Sequence, residues 1–533
     1  MNKTKLAPGL ALGFAVMLWV ALMGQPMQAA DGLKWFRGQL HVHTYWSDGR
    51  GFSEQAVAAY KQRGYEFLCI TDHNRFAEDT NTWREVVAKE GSWPPKVSQT
   101  IFDTYVQAFG KDWVERKTES KTNGLITSVR LKTYAEIRAK FEEPGTFILL
   151  PGVELTQTLN GFGVHLNYIN LPLTLPGIKG ASLIKTVKGP KTLSALITQN
   201  AAEAEQAASE QQKPYMLMLN HPFWVYYDLV PQNLMDCPKI RFFEVCNGGS
   251  DHAPHPKALS YTVEKFWDIV NAFRSIRGKP LLYGVGSDDA HFYDAKRSNG
   301  YAGVSDAWVM VRAAALTQEH LIAAMQRGDF YASSGVLLEE AAFTPADNTL
   351  RVTVKADQGV NYRIHFITTK QGFDQTVTEV ASPAEKGRPA RTIPIYSDDI
   401  GRTVKTVVGT NATYRLEADD LYVRARVESD SPSKTAPHFH PKVKMAWTQP
   451  YAAKSREVLT LLRGRCVLVQ PAQLRSPGCS DPDDDPIIGM AVAGNCDGLV
   501  TGDKALQKLK AYGRTAVVSP GDFWRFEEGK AEH

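Results

Sequence analysis

Seven short apolar runs recur between residues 38 and 291 of this chain. They read GQLHVHT (38–44), FLCITDHN (67–74), FILLPGVELT (147–156), GVHLNYIN (163–170), MLMLNHPFW (216–224), RFFEVCNGG (241–249) and LLYGVGSDDAH (281–291). Stretches with helical spacing separate them at 51–64, 133–145, 192–214 and 260–280. Strand alternating with helix predicts an α/β fold on a parallel sheet, and seven such strands argue a (β/α) barrel over an open sheet. An insertion at about 75–132 carries Trp83, Trp93 and Trp113, and reads either as a lid or as a packing excursion.

From Phe343 the pattern changes to period two, in LRVTVKAD, YRIHFITTK and TYRLEADDLYVRARVES. That period predicts antiparallel strands. From Ala452 it changes again, to a short α/β alternation. The expected organisation is a signal peptide over 1–30, a barrel over 31–342, a small antiparallel β domain over 343–451 and a short α/β tail over 452–533.

Composition adds bounds. The chain has 533 residues, and its formal charge of +4 gives no electrostatic reason to expect nucleic acid or an anionic membrane as partner. Lys3 and Lys5 precede an apolar run from Leu10 to Met23, with Ala29 and Ala30 after it. This is the order of a secretory signal, with an uncleaved anchor as the alternative, so a periplasmic or secreted product is expected. The six cysteines permit disulfides in such a compartment, though Cys69 and Cys246 sit in strand-like runs and read as buried thiols.

The candidate chemistry sits at the ends of the apolar runs. His41 and His43 are two apart on a strand, so both side chains face one side. Asp48 follows in a turn-like segment, and His73, Glu154, His165, His221, Asp289 and His291 close later runs. In parallel barrels the C-terminal strand ends form the active face, which would gather all nine groups in one bowl. Mixed imidazole and carboxylate donors suit zinc, manganese or iron, and nine are more than one ion uses, so two to three divalent transition-metal ions are expected. His252, His255, His320, His365 and His533 are given no role, and the His438/His440 pair reads as a loop.

These residues resemble the PHP (polymerase and histidinol phosphatase) family of metallohydrolases over roughly 36–335. HVHTYWSDG, TDHN, GVE, the histidines of GVHLNY and NHP, and SDDAH carry the similarity. The resemblance implies a distorted seven-stranded (β/α) barrel with a di- or trinuclear site. It implies one ion on His41, His43, Glu154 and Asp289, a second on Glu154, His165 and His221, and a third on Asp48, His73 and His291. Asp288 competes with Asp289, and the family's spacing favours Asp289. Asp289 and His291 are expected in catalysis. Arg75, directly after TDHN, and Arg297 are candidates to bind a phosphate or leaving group.

The expected function is hydrolysis of a small-molecule phosphate ester by a metal-bridged hydroxide. The secreted branch the chain resembles, that of carbaryl hydrolase, makes a carbamate, ester or amide substrate the alternative. An apolar pocket from Trp46, Phe223, Trp224 and Phe292 would favour it. A non-catalytic, metal-stabilised binding protein is the reading of another class. The tail resembles the C-terminal half of a PIN-domain toxin ribonuclease, through Asp481, Asp484, Asp485 and Asp503. The first half of such a domain is missing and Ala505 stands where an aspartate is usual, so a non-catalytic segment is expected.

Overall fold

A computed structural model describes residues 32–88, 95–121, 124–171, 185–186, 189–223, 229–249, 262–293, 303–384, 389–433, 443–453, 472–474, 484–501, 504–519 and 522. The N-terminal segment expected to be a signal, Trp93, Trp224, Arg297, Cys466, Cys479, Asp481, Asp503, and His252, His255, His438, His440 and His533 lie outside them. The chain divides into two compact units, Met1–Glu457 and Val458–His533.

The seven runs form seven strands: β1 (Lys34–Gln39), β2 (Phe67–Ile70), β3 (Ile148–Leu159), β4 (Phe162–Ile169), β5 (Met216–Leu219), β6 (Phe242–Asn247) and β7 (Tyr283–Ser287). They are hydrogen-bonded in the order β7-β6-β5-β4-β3-β2-β1. Beyond their ends, Val42 and Ala290 form a single parallel bridge, and His43 N–H donates to the Ala290 carbonyl at 2.9 Å, which brings β1 and β7 together. One apolar cluster takes a residue from every strand: Phe36, Phe67, Ile148, Ile169, Met216, Phe242 and Val285. Both faces of these strands are covered, which is why they read as continuous apolar runs rather than alternating ones.

Strand direction departs from the expected all-parallel array. β1–β2, β2–β3, β5–β6 and β6–β7 are parallel, whereas β3–β4 and β4–β5 are antiparallel. The cause is local. Asn160 and Gly161 both take positive φ, 53° and 84°, between β3 and β4. Two such residues in succession make the tight turn whose twist suits a β-hairpin. Reversal of β4 puts His165, near its start, opposite Thr156 rather than at a C-terminal end.

Helices α1 (Ser53–Gln62), α2 (Gln99–Phe109), α3 (Tyr134–Phe141), α4 (Leu193–Gln211), α5 (Val263–Ile276) and α6 (Gln318–Arg327) complete the unit's main helical complement. Thr133, Thr192, Thr262 and Thr317 cap four of them through the side-chain oxygen, each accepting from the third residue on. α5 buries Phe266, Trp267, Ile269, Val270 and Phe273 in one apolar cluster with Leu217, Leu219, Phe243 and Val245 of the strands. Each such side chain contributes about 1.5–3 kcal/mol relative to exposure. Trp267 approaches so closely that a Cβ on Gly284 would lie 2.9 Å from its ring.

The insertion is a packed body. Trp83–Val87, Val97–Ser98, Arg116–Lys121 and Gly124–Arg130 form a four-stranded sheet, with α2 between the second and third strands in chain order. Its Val97, Phe102, Tyr105 and Val129 share a buried cluster with Tyr45, Trp46 and Phe52. The Tyr105 hydroxyl and the Trp113 indole both donate to Glu54 of α1, at 2.6 and 2.7 Å. The described part therefore props the loop after β1.

Beyond β7 the strands are antiparallel: β8 (Trp308–Ala313), β9 (Phe330–Ser333), β10 (Tyr362–Thr368), β11 (Arg402–Val408), β12 (Arg424–Pro432) and β13 (Val443–Thr448). The ladder continues without a break from β1 through β8, β9, β13, β12 and β10 to β11, so hydrogen bonding runs on past Phe343. In the second unit a helix, Asp485–Ala493, precedes a small sheet in which Gly498–Val500 pairs in parallel with Thr515–Val518. Ile488, Leu506 and Val517 are its buried apolar cluster among the described residues. No helix among the described residues is long and apolar enough to cross a membrane.

Candidate metal centre

Strands β1 to β5 and β7, with the segments that follow β1, β2, β5 and β7, bring nine polar side chains into one cluster. His41, His43, Glu154, His165, His221 and Asp289 are at most 7 % exposed. The side chains of Asp48, His73 and His291 are 32, 12 and 12 % exposed and form its solvent-facing side.

Glu154 is the hub. Its Oε1 lies 3.1 Å from His165 Nδ1, 3.3 Å from His41 Nε2 and 3.4 Å from His221 Nε2. Its Oε2 lies 2.5 Å from His73 Nδ1 and 3.6 Å from His43 Nε2. The two oxygens thus face different imidazole groups, as a carboxylate shared between two cations must. His41 Nε2 and His43 Nε2 are 3.0 Å apart, and Asp289 Oδ1 is 3.0 Å from the latter.

Four sets of donor atoms converge closely enough for an ion. They are His43/Asp48/His73/His291, His41/His43/Glu154, His41/His221/Asp289 and His73/Glu154/His165. The first contains the Asp48, His73 and His291 trio together with His43, whose ring lies 4.4 Å from those of both His73 and His291. The partition otherwise differs from the one the resemblance implies: His165 converges with His73, and His221 with His41 and Asp289.

Electrostatics favour cations here. Burial alone would raise the carboxyls of Glu154, Asp289 and Asp48, yet the surrounding imidazoles hold all three well below the ordinary range. Burial lowers His43, with His291 and His73 adding to the effect, and pushes His165 down to about 4. His41 and His73 move the other way, because neighbouring carboxylates outweigh their burial. His221 and His291 are raised likewise by the carboxylates around them, so the cluster pairs ionised carboxylates with imidazoles, the donor types a divalent transition metal takes.

Two further carboxylates support the cluster. Asp72 Oδ1 accepts from Thr44 N–H at 2.7 Å, Ser47 N–H at 3.0 Å and the Ser47 hydroxyl at 2.5 Å, while Oδ2 accepts from the Thr44 hydroxyl at 2.7 Å. This clamps the turn that carries Asp48. Glu244, on β6, accepts from His41 Nδ1 at 2.7 Å. Sequence reasoning passed over Glu244, although a lone carboxylate in the run RFFEVCN is a signal, since a buried charge requires partners. Asp288 points away from the cluster, accepting from Tyr60 Oη and from the backbone N–H groups of Ser305, Asp306 and Ala307 at 2.6–2.8 Å.

Other expected site residues are placed elsewhere. Arg75 is half-buried after β2, and its backbone N–H donates to the Asp72 carbonyl at 3.3 Å. Trp46 and Phe223 are core residues: the Trp46 indole donates to the Lys132 carbonyl at 3.1 Å, and Phe223 packs edge-on against Phe266. The described residues therefore build no apolar pocket from these two. Asp484 and Asp485 open the helix of the second unit. A separate acidic set, Glu417/Asp419/Asp420, is bridged by Lys370, 2.9 Å from both aspartates.

No protein-family model matches the chain, and no curated protein does. Among solved structures it is similar to a two-domain protein from Bacteroides vulgatus containing a predicted PHP-like metal-dependent phosphoesterase. The identity is 13 %, over 79 % of this chain and 96 % of that one, with a TM-score of 0.32. A protein from Bifidobacterium adolescentis, also assigned as a metal-dependent phosphoesterase, is 12 % identical over 50 % of this chain and 92 % of its own, with a TM-score of 0.26. An amidohydrolase from Chromobacterium violaceum, with bound sulfate and no metal, is 12 % identical over 48 and 87 %, with a TM-score of 0.24. At such scores the likeness is one of outline and bears no weight on the chemistry.

Proposed function

We propose that this protein is a metal-dependent hydrolase of the PHP type, acting on phosphate esters through a site of two or three transition-metal ions. One observation carries the reading: Glu154 lies between two imidazole groups, its Oε1 toward His165, His41 and His221 and its Oε2 toward His73 and His43. A structural metal site is normally closed by four ligands and leaves no donors facing solvent, whereas here Asp48, His73 and His291 are accessible. A distorted seven-stranded barrel is supported by the Val42–Ala290 bridge and by the apolar cluster common to all seven strands.

Bound ions would supply a hydroxide nucleophile near neutral pH and stabilise developing negative charge. The protein's own part is to orient them. Glu154 spaces the ion sites, Asp289 and His291 complete two of them, and Arg75 is proposed to meet the substrate's anionic group. The clamp on Asp72 holds Asp48 at the open side, where substrate enters. We further propose a small-molecule substrate met outside the cytoplasm: the N-terminal segment supports the location, and the small net charge gives no reason to invoke nucleic acid.

The test is the purified chain from residue 31 on, loaded with manganese or zinc and assayed on phosphomonoesters, phosphodiesters and aryl carbamates, with metal counted per chain. Two to three ions and phosphatase activity are expected, both reduced in His43→Ala and Glu154→Ala. Full activity in both variants sinks the reading. Turnover of carbamates alone would keep the metal site and replace the substrate class.

A further inference from the structure

Six of the seven apolar runs supply a candidate ligand; β6 supplies none, yet places a fully buried carboxylate against the cluster. Glu244 Oε1 accepts from His41 Nδ1, at 2.7 Å, and from the Ser287 hydroxyl. Its Oε2 accepts from the His221 backbone N–H at 2.7 Å and from Asn247 Nδ2 at 2.8 Å. Four donors on two oxygens use the whole acceptor capacity of a carboxylate. Glu244 is accordingly absent from every converging set of ligand atoms among the described residues.

Two of the four donors, His41 and His221, belong to one ion site. His41, His221 and Asp289 form one of the four converging sets. Glu244 holds the first through its ring and the second through its backbone. It reaches the third through Asn247, whose Nδ2 lies 3.4 Å from Asp289 Oδ2. His221 has φ 21° and Asp289 φ 52°, a region that non-glycine residues seldom adopt, so both ligands sit on backbone that needs holding.

We infer that Glu244 is the positioning residue of the His41–His221–Asp289 ion site. In the neutral ring a metal requires, accepting from His41 Nδ1 would place the remaining proton on that nitrogen and turn Nε2 to the ion, on the side where His43 Nε2 lies at 3.0 Å and Asp289 Oδ1 at 3.4 Å. The inference rests on the metal-centre reading and adds to it a residue that touches no ion.

The experiment strips the purified protein of metal and titrates it with zinc against a chromophoric chelator, comparing wild type, Glu244→Gln and Glu244→Ala. In Glu244→Gln an amide donor must face either His41 Nδ1–H or the His221 N–H, so one contact is lost while side-chain volume is kept. One zinc per chain is expected to weaken by about 10–100-fold in that variant, the range for outer-shell partners. The remaining ions should keep their affinity, and far-UV circular dichroism should be unchanged. In Glu244→Ala the same ion should be lost outright. Cobalt substituted for zinc should show an altered visible spectrum for one ion only. Wild-type zinc affinity in both variants overturns the inference and leaves the metal centre intact. Loss of every ion together with the folded spectrum, in the glutamine variant, overturns it too, by assigning Glu244 to the core. No zinc uptake by wild type removes the metal-centre reading itself, and the inference with it.

Discussion

Asp288 and Asp289 are adjacent in the chain and opposite in what they face. Asp289, at φ 52°, sets Oδ1 3.0 Å from His43 Nε2, while Asp288 turns into the body of the protein and accepts from Ser305, Asp306, Ala307 and Tyr60. Burial raises the Asp288 carboxyl; the imidazoles of His41, His43 and His291 overcome burial to hold Asp289 well below the usual range. The two asparagine variants should therefore separate. Asp289→Asn should lose an ion and lower activity by more than the roughly 10–100-fold typical of an outer-shell change. Asp288→Asn should keep its ions and lose about 1–3 kcal/mol of stability in a urea melt, the cost of ill-matched buried partners. The reverse assignment would show as ion loss in Asp288→Asn.

Asp72 acts on Asp48 at one remove. Its carboxylate takes four hydrogen bonds from Thr44 and Ser47, so the turn ending at Asp48 is built around it. Asp72→Asn would set an amide donor against these donors. Activity should fall about 10–100-fold with the fold retained, and loss should be greatest for the ion on Asp48, His73 and His291. Unchanged metal affinity and turnover would leave Asp72 with a packing role only.

The nine proposed ligands stood out in the sequence because eight of them lie in apolar runs and Asp48 follows one closely, and the fold gathers all nine into one cluster. Two things were harder to read. The Asn160–Gly161 turn is a two-residue hairpin signal between β3 and β4, but reading the runs as separate parallel strands hid it, and with it the reversal that sets His165 opposite Thr156. Glu244 was masked by its own run, since a single carboxylate hardly alters the hydropathy of RFFEVCN. Pairing with His41 is a tertiary fact, made by residues 203 positions apart. The aromatics Trp46 and Phe223 were ambiguous for the converse reason: flanking a ligand in sequence does not aim a ring at the site.

An acid-sensitive network joins the insertion to α3. Arg130 donates to Glu115 at 2.8 Å and to Glu136 at 3.1 Å, and Lys132 donates to Glu115 at 2.6 Å. Hydrogen bonds from Arg130 and then Lys132 lower Glu115 to about 2 from an ordinary 4.5. For Glu136, burial works the other way, but bonds from Arg130 and Thr133 bring it to about 2 as well. Depressed carboxyls contribute stability above the unfolded value and lose it as pH falls from about 4.5 toward 2. Both groups are partly exposed, so solvent screening keeps the contribution small. The melting-temperature gap between wild type and Glu115→Gln/Glu136→Gln should shrink over that window. A gap independent of pH would deny the network its effect.

Arg424 and Asp268 join β12 to α5 through a buried bidentate pair, Nε–Oδ1 at 2.8 Å and Nη2–Oδ2 at 2.6 Å, with Tyr422 Oη also donating to Asp268 Oδ1 at 2.9 Å. Both partners are nearly inaccessible. Arg424 also donates to Glu264 at 3.0 Å. Removing Arg424 leaves the buried Asp268 with the Tyr422 hydroxyl but no countercharge, so Arg424→Met should cost about 3–5 kcal/mol, whereas the double variant Asp268→Leu/Arg424→Met should recover part of it, the share of Glu264 remaining. Denaturant unfolding of the three proteins decides this, and equal losses in single and double variants would contradict it.

The ten residues of the proposed centre, Glu244 included, all lie in the unit that ends at Glu457. No converging ligand set falls in the second unit among its described residues, and its apolar cluster there is Ile488, Leu506 and Val517. A cluster that small contributes little stability of its own. Truncation after Glu457 should therefore leave zinc stoichiometry, cobalt spectrum and kcat/KM at their full-length values. Retained ions with abolished turnover would instead assign the tail a part in the reaction, and the aspartates at 481, 484, 485 and 503 would be the first to substitute.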